Sequence, residues 1–310
     1  MPIKIPDNLP AATVLHSEGV RLIRETNARQ QDIRPLRIAL LNLMPTKIAT
    51  ETQFSRLLGA TPLQVELTLV ATGSYEPKNT AAHHLRDFYR RFEHVRGERF
   101  DGLIITGAPV EKMPFEDVEY WDELCEIFTW AQTNVFTTLS VCWGAQAALY
   151  HRYGIDKYTL PQGKIVGLYR HRVLKANSLT AGLSDTFVVP VSRYTGNDRQ
   201  IIEKHPDLRL VVDSDVAGPC MLIDKTGHVY IFNHMEYDAE TLDQEYRRDC
   251  ERAARRPDFT VVKPAAYYTQ DDQLPDNIWR SSASVIFANW IHNIYQDTPY
   301  DLNALTVKPV

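Results

Sequence analysis

Cysteine and glycine are scarce in this sequence, and each shortage excludes a class of site. Only four cysteines occur among 310 residues, and no two of them form a CxxC pair: Cys125, Cys142, Cys220 and Cys250. A disulfide framework and a cysteine-rich zinc site are therefore not expected. No two of the fourteen glycines are separated by a single residue, which excludes a GxGxxG dinucleotide loop and a GxSxG serine elbow.

Long apolar runs and a dominant charge are also missing. No stretch of about 18 uninterrupted apolar residues occurs, and the opening MPIKIPDNLP has no signal-peptide run, so we expect a cytoplasmic protein without a membrane partner. A net charge of −5 and a pI near 6.1 do not favour nucleic acid as a partner. With 44% hydrophobic and 24% charged residues, the chain has the composition of a globular protein with a sizeable core.

Short apolar runs alternate with amphipathic segments in the first half, which predicts βα units that feed a mostly parallel sheet. Strands are predicted at 37–43, 63–70, 101–106 and 135–141, and helices at 46–58, 81–92 and 118–133. Thr46 is the expected N-cap of the first helix and Gly59 its terminator.

The second half favours added β structure on the same domain. Strand-like runs occupy 165–169, 186–191, 208–213, 220–223 and 229–232, followed by helices at 238–254 and 283–295 with a loop over 257–275. No Ser/Gly linker or repeat interrupts the chain. We therefore expect one domain over 1–310, with an N-terminal arm of about 1–35 and a C-terminal extension of about 257–310.

The sharpest local pattern surrounds Cys142. A β-branched strand runs directly into it, and a helix of small residues begins directly behind it. This is the layout of a nucleophile elbow, whose tight turn needs small residues such as Ser140 and Gly144 on either side. The turn would lift the sulfur to the sheet edge and aim helix N-terminal amides at it, which favours the thiolate and an oxyanion hole. The alternative is that Cys142 is a buried small hydrophobe.

Two further segments are candidates to complete a site at Cys142. His234 and Glu236 follow the run 229–232 directly, where they could serve as a base and the carboxylate that orients it; a surface contact is the alternative. The turn TGAP at 106–109 exposes backbone N–H groups, and those of Gly107 and Ala108 could join that of Trp143 in an oxyanion hole. An ordinary βα turn is the alternative there.

Other chemistry-bearing residues are interpreted as structural. His83 and His84 are adjacent on a predicted helix, so they point to different faces and cannot chelate a metal together. Packing accounts for Cys125, Cys220 and Cys250. No metal site is predicted.

The motifs VCWGAQAAL, TGAP and HMEYD resemble those of the homoserine O-acyltransferase (transsuccinylase and transacetylase) family of methionine biosynthesis, which is related in fold to the class I glutamine amidotransferases. The likeness covers nearly the whole chain, through RPLRIALLNLMPTKIATETQFSRLLG, PLQVELTLV, HLRDFYRRFE, FDGLIITGAP, SRY, YDAETLDQEYRRD and the tail from WRSS to TPYDL. It implies an α/β, flavodoxin-like fold, with a mostly parallel sheet, helices on both faces and added β structure, and a homodimer.

The resemblance also implies a ping-pong acyl transfer from an acyl-CoA to the γ-hydroxyl of L-homoserine, with no cofactor besides the acyl-CoA co-substrate. Cys142 would carry the acyl thioester, His234 would activate homoserine, and Glu236 would orient His234. Many relatives have Gly-His-Pro-Glu where this chain has Asn233-His234-Met235-Glu236. The rigid turn that proline would impose is therefore missing.

The remaining roles implied by the resemblance concern substrate binding. Lys164, Ser192 and Arg248 would bind substrate, and the guanidinium of Arg248 suits the homoserine carboxylate. Family members similar to the acetyl-transferring enzymes have glutamate where this chain has Glu111, and the succinyl-transferring ones have glycine. A carboxylate there would repel the distal carboxylate of succinyl-CoA, so we predict acetyl-CoA as donor, with succinyl-CoA as the alternative.

Two other classes of function remain open at this point. Amide hydrolysis or glutamine amidotransfer could use the same Cys/His/Glu set, although no ammonia-using synthetase segment follows it. A non-enzymatic sensor could use a reactive cysteine, but it would not need the acid/base pair of His234 and Glu236.

Overall fold

A single mixed sheet forms the centre of the computed structural model, which describes residues 3–6, 8–17, 22–25, 34–74, 80–256, 258–271 and 273–305. The expected N-terminal arm and C-terminal extension both include residues outside this set. The strands are β1 (Ile3–Ile5), β2 (Leu22–Arg24), β3 (Leu36–Leu41), β4 (Val65–Ala71), β5 (Tyr89–Arg91), β6 (Phe100–Ile105), β7 (Val135–Val141), β8 (Lys157–Thr159), β9 (Ile165–Val173), β10 (Thr186–Arg193), β11 (Thr195–Asn197), β12 (Leu208–Ser214), β13 (Gly218–Asp224) and β14 (Val229–Ile231).

Helices occur between many of these strands. They are α1 (Ala11–Ser17), α2 (Lys47–Leu58), α3 (Ala82–Phe88), α4 (Phe92–Val95), α5 (Trp121–Asn134), α6 (Trp143–Tyr153), α7 (Arg199–Lys204), α8 (Thr241–Arg255) and α9 (Arg280–Asp297), with single 3₁₀ turns at Phe115–Asp117 and Leu302–Ala304. No helix in the described part of the chain is both long and apolar enough to cross a membrane.

Within the described residues, the sheet has twelve strands in the order β10-β9-β12-β13-β14-β7-β6-β3-β4-β1-β2, with β5 paired beside β4. The strands from β14 to β2 pair in parallel, and so do β4 and β5. The strands from β10 to β14 pair antiparallel. The expected mostly parallel sheet with added β structure is confirmed, and the added strands extend one edge of it. Outside this sheet, β8 and β11 form a separate antiparallel pair.

Alternating residues of the central strands send side chains into two cores. Ile38 and Leu40 pack on the side that holds α2 and α9, whereas Ala39 and Leu41 pack on the side that holds α5 and α6. Because strand side chains alternate between the two faces, an apolar run such as β3 can be buried on both. Helices therefore cover both faces, as expected.

The predicted helix over 81–92 is wrong as a single element. Helix α3 ends at Phe88, residues 89–91 add β5 to the edge of β4, and α4 begins at Phe92. The reason lies outside the segment: the Tyr89 hydroxyl donates to Glu51 Oε2 at 2.9 Å inside the core, and pairing with β4 satisfies the backbone. Thr46 precedes α2 without a side-chain capping bond, and Gly59 ends it in a right-handed conformation.

Candidate active site

Four parallel strands end at one edge of the sheet, and the loops that follow them converge there. The N–H of Cys142, directly after β7, donates to the carbonyl of Ile231 at the end of β14 (2.7 Å), and the N–H of Thr106, after β6, donates to Leu41 at the end of β3 (3.1 Å). Parallel strands bring their carboxyl ends to the same edge, where ligands bind in open α/β sheets.

Cys142 occupies a strained turn between β7 and α6. Its φ of 52° and ψ of −122° lie in a region that side-chain-bearing residues rarely adopt. The turn is also crowded, because a Cβ at Gly144 would lie 2.5 Å from the carbonyl oxygen of Thr106. Only glycine fits there. The predicted strand, sharp turn and helix are present, and they leave the Cys142 side chain half-buried at the sheet edge.

The TGAP turn lies against this cysteine. A Cβ at Gly107 would be 3.1 Å from Cys142 Cβ and 3.6 Å from its Sγ, so the backbone of this turn lies directly against the cysteine side chain. The Thr106 hydroxyl fixes the turn by accepting from Leu43 N at 2.8 Å and donating to Gly107 O at 3.0 Å. Trp143, on the other side of Cys142, has its indole fully buried against Phe115.

His234 and Glu236 face Cys142 from the loop after β14. Nδ1 of His234 lies 2.7 Å from Oε1 of Glu236, and the His234 and Cys142 side chains interact electrostatically. Burial by itself would lower the pKa of His234, but the interactions with Cys142 and Glu236 together raise that pKa well above its ordinary value. This balance favours the imidazolium form of His234.

Glu111 is part of the same cleft. Its Oε2 accepts a hydrogen bond from Tyr194 N at 2.8 Å and one from the Thr195 hydroxyl at 3.3 Å. Burial raises the pKa of Glu111, and these two hydrogen bonds and the positive charges of His234 and Lys164 oppose the rise. The Glu111 carboxyl group therefore lies close enough to His234 and Lys164 to interact with both.

Two carboxylates, those of Glu245 and Asp249, are the shared partners of Lys164, Ser192 and Arg248. Nζ of Lys164 lies 2.8 Å from Oδ2 of Asp249 and 3.7 Å from Oε2 of Glu245. The Ser192 hydroxyl donates to the same Glu245 oxygen at 2.5 Å. Arg248 lies at the rim, with its side chain 68% exposed and Nη2 at 3.4 Å from Asp249.

Sequence reasoning missed the residue that connects this cluster to His234. The Tyr237 ring stacks on the His234 imidazole with centroids 4.1 Å apart and an interplanar angle of 17°, and its hydroxyl donates to Glu245 Oε1 at 2.7 Å. Two signals were available: Tyr237 follows the His-x-Glu motif, and Glu245 and Asp249 are four residues apart on the helix that carries Arg248.

Comparisons with known proteins agree on one family. A sequence model of the family described as homoserine O-succinyltransferase matches residues 2–300. A homoserine O-acetyltransferase from Hyphomonas neptunium is 51% identical over 309 residues, with 98% of this chain and 99% of the relative covered. A second homoserine O-acetyltransferase, from Allorhizobium ampelinum, is 53% identical over 307 residues, with 98% and 97% covered. The name of the family thus specifies a succinyl group, whereas the names of these two relatives specify an acetyl group.

Solved structures extend the likeness to the fold. A glutamine amido transferase from Methylobacillus flagellatus superposes with a TM-score of 0.53 at 15% identity, covering 90% of this chain and 98% of its own. A glutamine amidotransferase from Thermotoga maritima gives a TM-score of 0.50 at 12% identity, covering 86% and 100%. At these identities the comparison concerns the fold alone, and it confirms the expected class I glutamine amidotransferase-like architecture.

Proposed function

This chain belongs to the homoserine O-succinyltransferase family, and on that premise we propose that it transfers an acetyl group from acetyl-CoA to the γ-hydroxyl of L-homoserine through a thioester on Cys142. As a member of this family it is a homoserine O-acyltransferase of methionine biosynthesis. One observation carries the proposed mechanism: Cys142 occupies a strained strand-to-helix turn and interacts electrostatically with His234, which Glu236 holds in turn.

The first half-reaction acylates the cysteine. The Cys142 thiolate attacks the carbonyl carbon of acetyl-CoA, and the charge that develops on the carbonyl oxygen is stabilised by backbone N–H groups of Gly107, Ala108 and Trp143. Collapse breaks the bond to the CoA sulfur. The departing CoA thiolate takes the proton of the His234 imidazolium, so free CoA leaves and a neutral imidazole stays beside the thioester.

The second half-reaction transfers the acetyl group. Neutral His234 accepts the proton of the homoserine γ-hydroxyl while the oxygen attacks the thioester carbonyl. Collapse releases O-acetyl-L-homoserine and the Cys142 thiolate, and His234 is again an imidazolium. Glu236 holds Nδ1 throughout, which keeps Nε2 available for the proton.

Homoserine binding is assigned to the cluster beside His234. Lys164, Ser192 and Arg248 contact the amino acid, and the forked guanidinium of Arg248 pairs with its carboxylate from the rim. The exposed side chain of Arg248 is free to close over a bound substrate. No cofactor is needed besides the acyl-CoA co-substrate, and we expect the working form to be a homodimer in the cytoplasm.

Glu111 supports acetyl-CoA over succinyl-CoA as donor. Its carboxylate lies inside the cleft, where the backbone N–H of Tyr194 and the hydroxyl of Thr195 anchor it. A distal carboxylate on the acyl group would meet a like charge in a partly dry pocket, and the acetyl group carries none.

The test is release of free CoA. Purified protein is incubated with acetyl-CoA or succinyl-CoA, each with and without L-homoserine, and L-glutamine replaces both substrates in a separate arm. We expect sustained CoA release only with acetyl-CoA and homoserine together, and at most one equivalent with acetyl-CoA alone. Sustained release without homoserine, or ammonia release from glutamine, would contradict the proposal.

A further inference from the structure

A cavity of about 130 Å³ lies one helical turn beyond Cys142, apart from the residues assigned above. Its lining includes Gln146 on α6, Arg193 at the end of β10, Asn197 at the end of β11, and Phe232 directly after β14. The N–H of Gln146 donates to the carbonyl of Cys142 at 3.2 Å. The cavity and the nucleophile therefore share one turn of helix.

Arg193 brings a buried positive charge to this cavity. The residue is 5% exposed, and its guanidinium donates from Nε to Asn233 Oδ1 at 3.3 Å, from Nη1 to the Thr195 carbonyl at 2.7 Å and from Nη2 to the Ala217 carbonyl. All three acceptors are uncharged. Within the described ranges, no ion pair includes Arg193.

A buried cation without an anionic partner is costly, and arginine cannot relieve the cost by deprotonation. Three of its five N–H donors have acceptors, which leaves two N–H groups without an acceptor among the described residues. Such a guanidinium beside an empty volume is the chemistry that binds a carboxylate.

Asn197 is a second buried polar residue in the lining of the cavity. It is 5% exposed, and its Nδ2 donates to the Asp156 carbonyl at 3.1 Å. Its Oδ1 is buried without a hydrogen-bond partner. Because Oδ1 accepts hydrogen bonds, the group that completes it is a donor such as a water molecule and not the carboxylate itself.

The Thr195 hydroxyl lies between the cavity and Glu111. It can donate its single proton either to Gln146 Oε1 at 3.0 Å or to Glu111 Oε2 at 3.3 Å. The Glu111 carboxylate interacts electrostatically with the Arg193 guanidinium. In the wild-type protein the negative charge of the Glu111 carboxylate thus offsets part of the positive charge of Arg193.

We propose that this cavity is a carboxylate subsite for a substrate of the acyl transfer, with Arg193 as the cationic partner and Glu111 as the residue that suppresses its use. The identity of the ligand rests on the proposed function, whereas the binding of a carboxylate does not. Two substrates could supply the group: the distal carboxylate of a succinyl donor, or the α-carboxylate of homoserine, which would then not pair with Arg248.

The experiment adds a competing charge without deleting Arg193. Asn197→Asp is nearly isosteric and puts a carboxylate in the cavity, and Asn303→Asp, on an exposed turn far along the chain, is the matched control. Both are combined with Glu111→Gln. We expect the Glu111→Gln protein to turn over succinyl-CoA faster than the wild type does. Adding Asn197→Asp should lower that rate by about tenfold or more, and adding Asn303→Asp should leave it unchanged.

A separate set of measurements tests whether homoserine supplies the carboxylate that binds in the cavity. If the cavity takes the α-carboxylate, the single Asn197→Asp variant raises the homoserine KM by about tenfold or more, with acylation by acetyl-CoA alone unaffected. Turnover of 3-aminopropan-1-ol, which lacks the carboxylate, then does not change. Either arm supports the subsite and identifies its ligand.

A binding readout separates this inference from the proposed activity. Free succinate should slow iodoacetamide alkylation of Cys142 in the Glu111→Gln protein, and Asn197→Asp should abolish that protection. Thermal unfolding of each variant confirms that it is folded. The subsite is refuted if Asn197→Asp behaves like Asn303→Asp in the succinyl, homoserine and protection measurements alike, whatever the rate of acetyl transfer.

Discussion

Nδ1 of His234 lies 2.7 Å from Oε1 of Glu236, although Met235 stands between them in place of the proline that the family resemblance leads one to expect. Contacts outside the motif hold the pair instead: the N–H of His234 donates to the Pro190 carbonyl at 2.9 Å, and Tyr237 stacks on the imidazole. The geometry that proline would impose locally is supplied here by β10 and by a neighbouring ring.

The two members of this pair should differ in their contribution to the rate. His234→Ala removes the proton acceptor and should lower kcat on the order of 10² to 10⁴-fold, whereas Glu236→Ala leaves a base in place and should cost less. Steady-state CoA release with homoserine measures both. Equal residual rates for the two variants would contradict this ranking.

Cys142→Ser should abolish the acyl-enzyme as well as turnover, because the ping-pong route passes through the thioester. Intact-protein mass spectrometry after incubation with acetyl-CoA alone should show one acetyl adduct on the wild type, located to Cys142 by peptide mapping. Cys220, which is fully buried, provides the matched control, and Cys220→Ser should still form the adduct. An adduct at another residue would overturn the assignment.

Glu111→Gly should shift donor preference toward succinyl-CoA. Coulomb repulsion between two carboxylates about 4 Å apart is roughly 4 kcal/mol at an intermediate dielectric, enough for a discrimination on the order of a thousandfold. Glu111→Gln separates charge from size, because it removes the charge and keeps the volume. A wild-type protein with a higher kcat/KM for succinyl-CoA than for acetyl-CoA would refute this role.

The same residue predicts a pH dependence. Burial raises the pKa of Glu111, so the neutral carboxyl is populated at a higher pH than for an exposed glutamate. As the pH falls through that pKa the repulsion is lost, and selectivity for acetyl-CoA should decrease. The ratio of kcat/KM for the two donors, measured across pH, should be flat in Glu111→Gln.

Acylation should change the protonation of His234. Burial lowers its pKa, and the charges of Cys142 and Glu236 overcome this in the free enzyme. A thioester carries no charge, so acylation removes the contribution of Cys142 and the pKa of His234 should fall, which converts an acid into a base. NMR titration of labelled histidine in Cys142→Ser, where a neutral hydroxyl replaces the thiolate, should show a lower pKa than in the wild type.

Gly144→Ala tests the crowded turn behind the nucleophile. Its Cβ would meet the Thr106 carbonyl oxygen at 2.5 Å, so the turn that carries Gly107 must move. We expect a loss of about 1–3 kcal/mol in the free energy of unfolding and slower acylation. Gly97→Ala, whose Cβ would have no neighbour within 4 Å, should change neither measurement.

Much of the site could be predicted because its chemistry lies in short segments at the ends of strands. The run 135–141 is β7 as predicted, and its β-branched residues and following small residues encode the elbow locally. The His-x-Glu motif and the TGAP turn likewise follow apolar runs, and parallel strands bring such ends together. The 81–92 segment could not be assigned in this way. Its pattern is helical, but residues 89–91 pair with β4 and the Tyr89 hydroxyl donates to the buried Glu51.

The sequence alone thus determined which candidate residues lie in the turns after the strands, because strand, turn and helix patterns are local. Only the tertiary structure decided which distant segments meet at them. The antiparallel strands added after β7 bring Ser192 to Glu245 and leave Arg193 buried beside Gln146, and no spacing along the chain specifies those contacts. They depend on the strand order of the sheet, which is set by the packing of the whole core and not by any one segment.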